Sequence, residues 1–352
     1  MNIPENRYFG VIVAPHQAEM HCEPLGQMGP EDLLLKMETN NICTTDYQQW
    51  MGLRNHQGFP MASGHEWSGI IVEKGEKTLN TLQVGDRVAL AELGCGVCES
   101  CHSGFTNECK QSGRSYDGVY HGDRGCSNYR IIHQGRVLPM SKEISAAEAG
   151  FLEPVSTVVA GVHKARVSHG ETVVVVGAGT MGLVNAQVAK AHGARVIITE
   201  ISDKKRKRAE EMGIAEVIDA KRMDPVQAVM DLTRQKGADV VIPAVGNTIA
   251  YQQAYGMLKK NRARLLLFAA GYPAPELVIS PNEVHYRRME ILGTSTSTAA
   301  DYLEAAQLIS NKQVDCRYSL EGEVFALRDI QAAYEAAATP DTYRITLDLQ
   351  GI

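Results

Sequence analysis

The spacing of apolar positions changes near residue 156. Before it, short runs such as Gly69-Ile70-Ile71-Val72 and Arg87-Val88-Ala89-Leu90 alternate with Gly, Pro and polar turns. That is the pattern of short strands in an irregular, β-rich domain. Leu82-Gln83-Val84-Gly85-Asp86-Arg87-Val88 reads as a turn feeding one of them. Beyond residue 156, apolar runs of strand length alternate with helix-length segments. A strand is expected over 172–176, a helix over about 179–193, and further strands over 195–199, 216–218, 240–242, 264–268 and 290–292. Such alternation predicts an α/β unit, a parallel sheet with helices on both faces. After Gly293 come two helix candidates, about 300–310 and 327–338, and a last strand over 343–349. No internal repeat or low-complexity linker interrupts the chain.

At 352 residues the chain exceeds what one core usually serves, so two domains are expected. A net charge of -6 offers no overall attraction to nucleic acid or anionic lipid. The run Lys204-Lys205-Arg206-Lys207-Arg208 is the local exception, open to reading as a phosphate-binding or nuclear-targeting patch. Ala209, Met212 and Ile214 resume an apolar pattern, which favours a solvated helix face. No apolar stretch approaches membrane-spanning length, and the first residues show no signal pattern, so a cytoplasmic protein is expected. Four of the eight cysteines crowd between Cys95 and Cys109, which in such a protein points to metal rather than disulfides.

The run Val173-Val174-Val175-Val176-Gly177-Ala178-Gly179-Thr180-Met181-Gly182 carries a G-x-G-x-x-G fingerprint between a buried-type strand and a helix, its required context. Gly177 permits the tight turn, Gly179 lets the backbone approach a pyrophosphate, and Gly182 lets helix and strand pack closely. Thr180 and Met181 open the helix, whose free N–H groups suit the anion. About twenty residues on, Glu200 ends the second strand. A carboxylate there accepts from ribose hydroxyls and repels a 2′-phosphate, so NAD is expected over NADP. Glu200→Ser is accordingly expected to shift preference toward NADP, with Lys204, Lys205 and Arg206 left in place.

Cys95-x2-Cys98-x2-Cys101-x7-Cys109 allows one short loop to wrap a tetrahedral Zn²⁺ with no open position, a structural site. A second set is dispersed: Cys43, His65-Glu66 and Glu153. Taken singly, Cys43 reads equally as a small buried residue, His65 as a hydrogen-bonded histidine and Glu153 as the cap of the helix after Pro154. Composition does not assemble them into a site.

The order of these pieces resembles the zinc-containing medium-chain dehydrogenase/reductase family over essentially the whole length. The matching pieces are Ile42-Cys43-Thr44-Thr45-Asp46, Gly64-His65-Glu66, Val84-Gly85-Asp86-Arg87-Val88, the four-cysteine lobe, Glu153-Pro154 and the glycine fingerprint. Glu-Pro at the third ligand position resembles the polyol (sorbitol-type) and threonine dehydrogenase branch. The resemblance implies a GroES-like catalytic zinc-binding domain over 1–155 and 295–352 and a Rossmann domain over 156–294. It implies a catalytic zinc on Cys43, His65 and Glu153, with Glu66 just behind and able to enter in place of water. Asp46 would orient His65, Thr157 would lie against the nicotinamide, and Lys205 would approach the adenosine ribose. Thr45 would receive the hydroxyl proton. The implied activity is hydride transfer between a polyol or sugar-like secondary alcohol and NAD, with two zinc ions per chain in a homodimer or homotetramer. The apolar Ile291-Leu292-Gly293 run is expected to extend the sheet across a two-fold axis.

One departure stands out. Many members of the family place a histidine five residues after the first ligand cysteine, where this chain has Gln48, which cannot act as a base near pH 7. Water, or His56, is left for the outer end of the relay. A threonine-type amino-alcohol dehydrogenase, or a lyase or epimerase that oxidises transiently on retained NAD, are the alternative activities. Metal-free reductases of the same fold lack both cysteine-bearing constellations. Tyr47, Trp50, Tyr116, Tyr120, His121, Arg287 and Arg288 are the candidates for substrate contact, the aromatics reading more readily as packing.

Overall fold

The computed structural model describes residues 3–54, 58–111 and 118–352. His56 and Tyr116 lie outside the described residues. The chain divides into two compact units: Met1–Ser156 with Ser297–Asn311 and Leu320–Ile352, and Thr157–Thr296 with Lys312–Ser319.

The first unit is built on two sheets. In the four-stranded one, the hairpin Asn6–Ala14 and Gln17–Pro24 is joined by Met61–Ala62 and His121–Gly122. The seven-stranded sheet runs Leu320–Ala326, Arg344–Asp348, Asp32–Asn41, Trp67–Lys74, Arg87–Leu90, Val137–Pro139, with Tyr129–His133 also pairing Asp32–Asn41. Asp32–Asn41 buries Leu33, Leu34, Leu35 and Met37, so it reads as a nearly continuous apolar run because it is central. Register then positions the chemistry. Asn40 pairs antiparallel with Trp67, and Asn41 with Thr346. Cys43, just past one strand, Glu66, just before the next, and Arg344, at the start of the third, therefore leave or enter the sheet at one end.

The second unit is a six-stranded, wholly parallel sheet in the order Glu216–Asp219, Arg195–Glu200, Thr172–Val176, Val240–Pro243, Arg264–Leu267, Glu290–Gly293. Val173, Val174 and Val175 are fully buried, each contributing about 1.5–3 kcal/mol from burial. The strand order reverses beside Thr172–Val176, the position at which doubly wound sheets bind ligands beyond their carboxyl ends.

One boundary differs from expectation. Lys312–Ser319 belongs to the nucleotide unit, not the catalytic one. The Gln187 side-chain amide holds Asp315 both ways, donating to its carbonyl at 3.3 Å and accepting from its N–H at 2.6 Å. Ser319 Oγ donates to the Thr180 carbonyl at 3.3 Å, and Cys316 is buried. These are side-chain pairings to backbone, which hydrophobic periodicity does not report. Among the described residues, no helix is long and apolar enough to cross a membrane.

Candidate active site

Cys43 is the N-cap of the helix Thr44–Trp50, and its extended backbone (φ -71°, ψ 152°) ends the preceding strand. Gly64 has φ +98°, and a Cβ there would lie 2.4 Å from the Cys126 amide, so glycine is required for the chain to deliver His65 and Glu66. Cys43 Sγ, an imidazole nitrogen of His65 and a carboxylate oxygen of Glu66 lie within 4.8 Å of one another. Ligands around a Zn²⁺ stand roughly 3.3–3.8 Å apart, so this S, N, O set fits the metal with a small contraction. Glu153 is not in the gathering. Glu66 comes to the gathering because it follows His65 directly, just before the strand Trp67–Lys74. Glu153 begins the Leu152–Lys164 helix. Burial raises the pKa of the Tyr302 phenol well above its usual range, and the charges of Glu153 and Glu92 add to this.

Two buried partners set the state of these ligands. Asp46 Oδ2 is 3.5 Å from His65 Nδ1, which orients the ring and leaves Nε2 for a metal. Burial opposes a proton on His65, but Asp46 and the Cys43 sulfur outweigh it and hold its pKa well above the ordinary histidine value. Arg344 reaches Glu66 with a two-pronged contact, Nε to Oε2 and Nη2 to Oε1, each 2.9 Å. The same guanidinium donates to Thr44 Oγ1 at 3.1 Å and to Cys43 Sγ at 3.5 Å. Burial disfavours its charge, yet Glu66 and Cys43 outweigh this and its pKa is raised. Sequence reasoning missed Arg344. Its only signal was a cation opening the alternating last strand Arg344–Asp348. Arg54 was missed too: its Nη1 donates to Thr45 Oγ1 at 3.1 Å. A guanidinium is not a base near neutrality, so Arg54 orients the Thr45 hydroxyl and does not replace the histidine absent at Gln48.

The four-cysteine lobe closes on itself. Cys95 and Cys101 sulfurs are 3.9 Å apart, Cys98 and Cys109 sulfurs 3.8 Å, and all four lie within 4.8 Å with no disulfide. A tetrahedron with Zn–S bonds near 2.3 Å has edges of about 3.8 Å, so the set fits zinc. A Cβ on Gly94 would sit 2.6 Å from Cys101 Sγ.

In the nucleotide unit Gly177 takes φ +101°, and a Cβ on Gly182 would lie 2.0 Å from the Gly177 carbonyl, so helix and turn touch directly. Around Gly179, the N-cap of the helix Thr180–Ala191, an added Cβ would meet nothing within 4 Å, which leaves room for a ligand's backbone approach. Glu200 is buried and occupied in a way the sequence did not show. Oε2 accepts from Ala178 N at 2.6 Å, and Oε1 accepts from Ile201 N and Ser202 N, each at 2.7 Å. Of roughly four acceptor positions on a carboxylate, one remains for a ribose hydroxyl. Lys205 N donates to the cap Ser202 Oγ at 3.4 Å, and Thr157 is half-buried in its helix.

The substrate-contact candidates divide. Trp50 is buried in the core and stacks on Tyr334. Tyr47 packs against that core, and Tyr120 packs edge-on to Phe9 and bonds His21 Nδ1 at 2.9 Å. Arg287 is spent on the Leu258, Lys259 and Lys260 carbonyls and Glu283, while Arg288 caps its helix with φ +50°. His121 is half-buried beside Gly58.

Known proteins share this sequence and fold. Residues 29–142 match the family model described as an alcohol dehydrogenase GroES-like domain, and residues 180–311 that of a zinc-binding dehydrogenase. A sorbitol dehydrogenase from Halalkalibacterium halodurans is 30% identical over 91% of this chain and 92% of its own. The chain belongs to the zinc-containing medium-chain dehydrogenase/reductase family. Within this family an L-galactonate-5-dehydrogenase from Escherichia coli strain K12 is 30% identical, over 90% of this chain and 88% of its own. A solved chain described as a zinc-binding dehydrogenase, from Sinorhizobium meliloti 1021 and bound to NADP, has a TM-score of 0.86 at 23% identity, covering 98% of this chain and 100% of that one. At that identity it shares the fold. Like its family, this protein is a zinc- and nicotinamide-dependent dehydrogenase.

Proposed function

We propose that the protein oxidises a polyol or sugar-like secondary alcohol with NAD, reversibly, and carries two zinc ions. The gathering of Cys43, His65 and Glu66 within 4.8 Å is the observation that carries this reading. The sorbitol and galactonate dehydrogenases among its relatives support the substrate class. Cys43, His65 and Glu153 would hold the catalytic zinc, with Glu66 able to enter in place of water, and Cys95, Cys98, Cys101 and Cys109 the structural one. When bound, zinc supplies Lewis acidity toward the hydroxyl and NAD accepts the hydride. The chain's own residues do the rest. Asp46 fixes the His65 ring. Arg344 neutralises Glu66, so that a second anionic ligand beside Cys43 is tolerated in a buried site. Thr45, oriented by Arg54, would relay the hydroxyl proton, accepting it while passing its own on toward solvent.

The family fold leaves cofactor choice open, since a chain with this fold binds NADP. Glu200 supports NAD, because a buried carboxylate at the ribose end repels a 2′-phosphate. The assay is NADH formation from a panel of secondary alcohols, polyols, aldonates, sugar phosphates and L-threonine. Turnover confined to L-threonine, or no NADH with any of them, contradicts the reading. The protein would be cytoplasmic and homo-oligomeric. Support for the latter is the Glu290–Gly293 strand at the end of the sheet, with Ile291 and Leu292 only half-buried. Sedimentation of a monomer at micromolar concentration contradicts it.

A further inference from the structure

The carboxyl ends of Arg195–Glu200 and Glu216–Asp219 carry a set of charges that zinc and glycine motifs do not explain. Asp219 is the register partner of Glu200, and Ala220 N donates to the Glu200 carbonyl at 3.0 Å. The strand end that faces the adenosine side of a doubly wound sheet therefore holds a second carboxylate beside Glu200. Arg206, one turn into the helix Asp203–Met212, is held at this edge. Its guanidinium lies 2.7 Å from Asp203, 3.1 Å from Asp219 and 3.6 Å from Glu210.

Burial ranks these contacts. The side chains of Arg206 and Asp219 are 17% and 13% exposed, whereas Asp203 and Glu210 are largely in solvent. Asp219 is thus the sheltered counter-charge, facing Nη1 without a hydrogen bond, while Asp203 accepts the hydrogen bond from Nη2 on the water-screened side. Arg222 also approaches Asp219, at 3.4 Å, but from solvent. An arginine within a few residues of the acidic end of the second strand is the natural fork for a 2′-phosphate. Here that fork is already engaged by carboxylates.

We propose that Asp219, assisted by Asp203, clamps Arg206 away from the adenosine ribose and is a specificity-determining residue against cofactors with a 2′-phosphate. The inference rests on the NAD-linked reading and adds a second device to Glu200. Glu200 repels the phosphate. The Asp219 clamp withdraws the cation that would otherwise offset that repulsion. The basic run then does not confer NADP binding despite its sequence, because the sheltered member of it is spent on Asp219.

The test is equilibrium titration of the zinc-replete, full-length protein with NADH and NADPH, followed by nucleotide fluorescence, so that the readout is binding and not turnover. Asp219→Asn is expected to tighten NADPH about tenfold while NADH changes less than about threefold. Adding Arg206→Ala to that variant is expected to abolish the gain. Arg206→Gln alone, which keeps the fold testable if Asp219→Asn does not, is expected to leave NADPH binding unchanged, since a clamped arginine contributes nothing to it. Unchanged NADPH affinity in Asp219→Asn overturns the clamp, as does a gain that survives loss of Arg206, or weakened NADPH binding in Arg206→Gln. A wild-type protein that already prefers NADPH overturns the NAD reading and the clamp together. A wild-type preference for NADH with an inert Asp219→Asn overturns the clamp alone.

Discussion

Arg344 holds both carboxylate oxygens of Glu66 at 2.9 Å, in a fully buried pair directly behind the sulfur of Cys43. Removing one partner of such a pair leaves an uncompensated charge where water does not reach it, a loss of about 3–5 kcal/mol. Arg344→Ala is therefore expected to lower unfolding free energy by about that amount, and Arg344→Lys by less, since the charge stays and the fork is lost. Urea denaturation checks both. A change within about 0.5 kcal/mol in Arg344→Ala would place the pair among inconsequential contacts.

The two cysteine-bearing constellations are expected to fail differently. Cys101→Ser breaks a closed four-sulfur set whose metal contributes directly to folding. It is expected to lose one zinc and lower the melting temperature. His65→Ala is expected to spare the melting transition and abolish turnover. Metal analysis beside thermal unfolding separates the two, and a Cys101→Ser protein with unaltered stability contradicts the structural assignment.

Glu200 acts on the turn as well as on the ribose. Its carboxylate satisfies the Ala178, Ile201 and Ser202 amides. Hydrogen bonds to a charged group each contribute about 1.5–3 kcal/mol. Glu200→Ser is expected to shift preference toward NADP by weakening NADH binding more than NADPH binding, since the amide contacts are lost for both cofactors and the repulsion of a 2′-phosphate is relieved for one. Tightened NADPH binding in that variant would show that the amides matter less than the repulsion.

Zinc uptake at the catalytic site is expected to depend on pH. Burial disfavours the His65 proton, but Asp46 and Cys43 hold its pKa well above the ordinary value in the metal-free site. A raised pKa means that the metal-free folded protein binds the proton more tightly, so zinc must displace it. Affinity should fall by at least about tenfold per unit as pH drops below that raised pKa. Competition against a chromophoric chelator measures this. A pH-independent affinity contradicts the proton linkage.

How much of this was legible depended on whether a residue's task is local. The Gly177-x-Gly179-x-x-Gly182 turn and the four cysteines announce themselves because a tight turn and a short metal loop confine their parts to one stretch. The parallel strands show because each is a buried, β-branched run. Cys43 and His65 needed the family resemblance, since register between Asn40 and Trp67 brings them together. Arg344 and Arg54 were invisible because their partners are remote in sequence or unremarkable in type. Glu66 needed no separate signal, because it adjoins His65 and sits with Cys43 and His65. Arg206 read as a surface cation until Asp219 gave it a sheltered partner.

Zinc held by Cys43, His65 and Glu153, with Glu66 beside them, would support NAD-linked oxidation of a secondary alcohol. The most direct measurement is the initial rate of NADH formation with a polyol panel while catalytic-site zinc is withdrawn by a chelator and then restored, with zinc counted per chain throughout. Two zinc ions are expected in the active protein, with loss of the rate as the first leaves while the fold persists, and recovery on its return. Full activity at one zinc or fewer, or no NADH from any secondary alcohol at two, would contradict it.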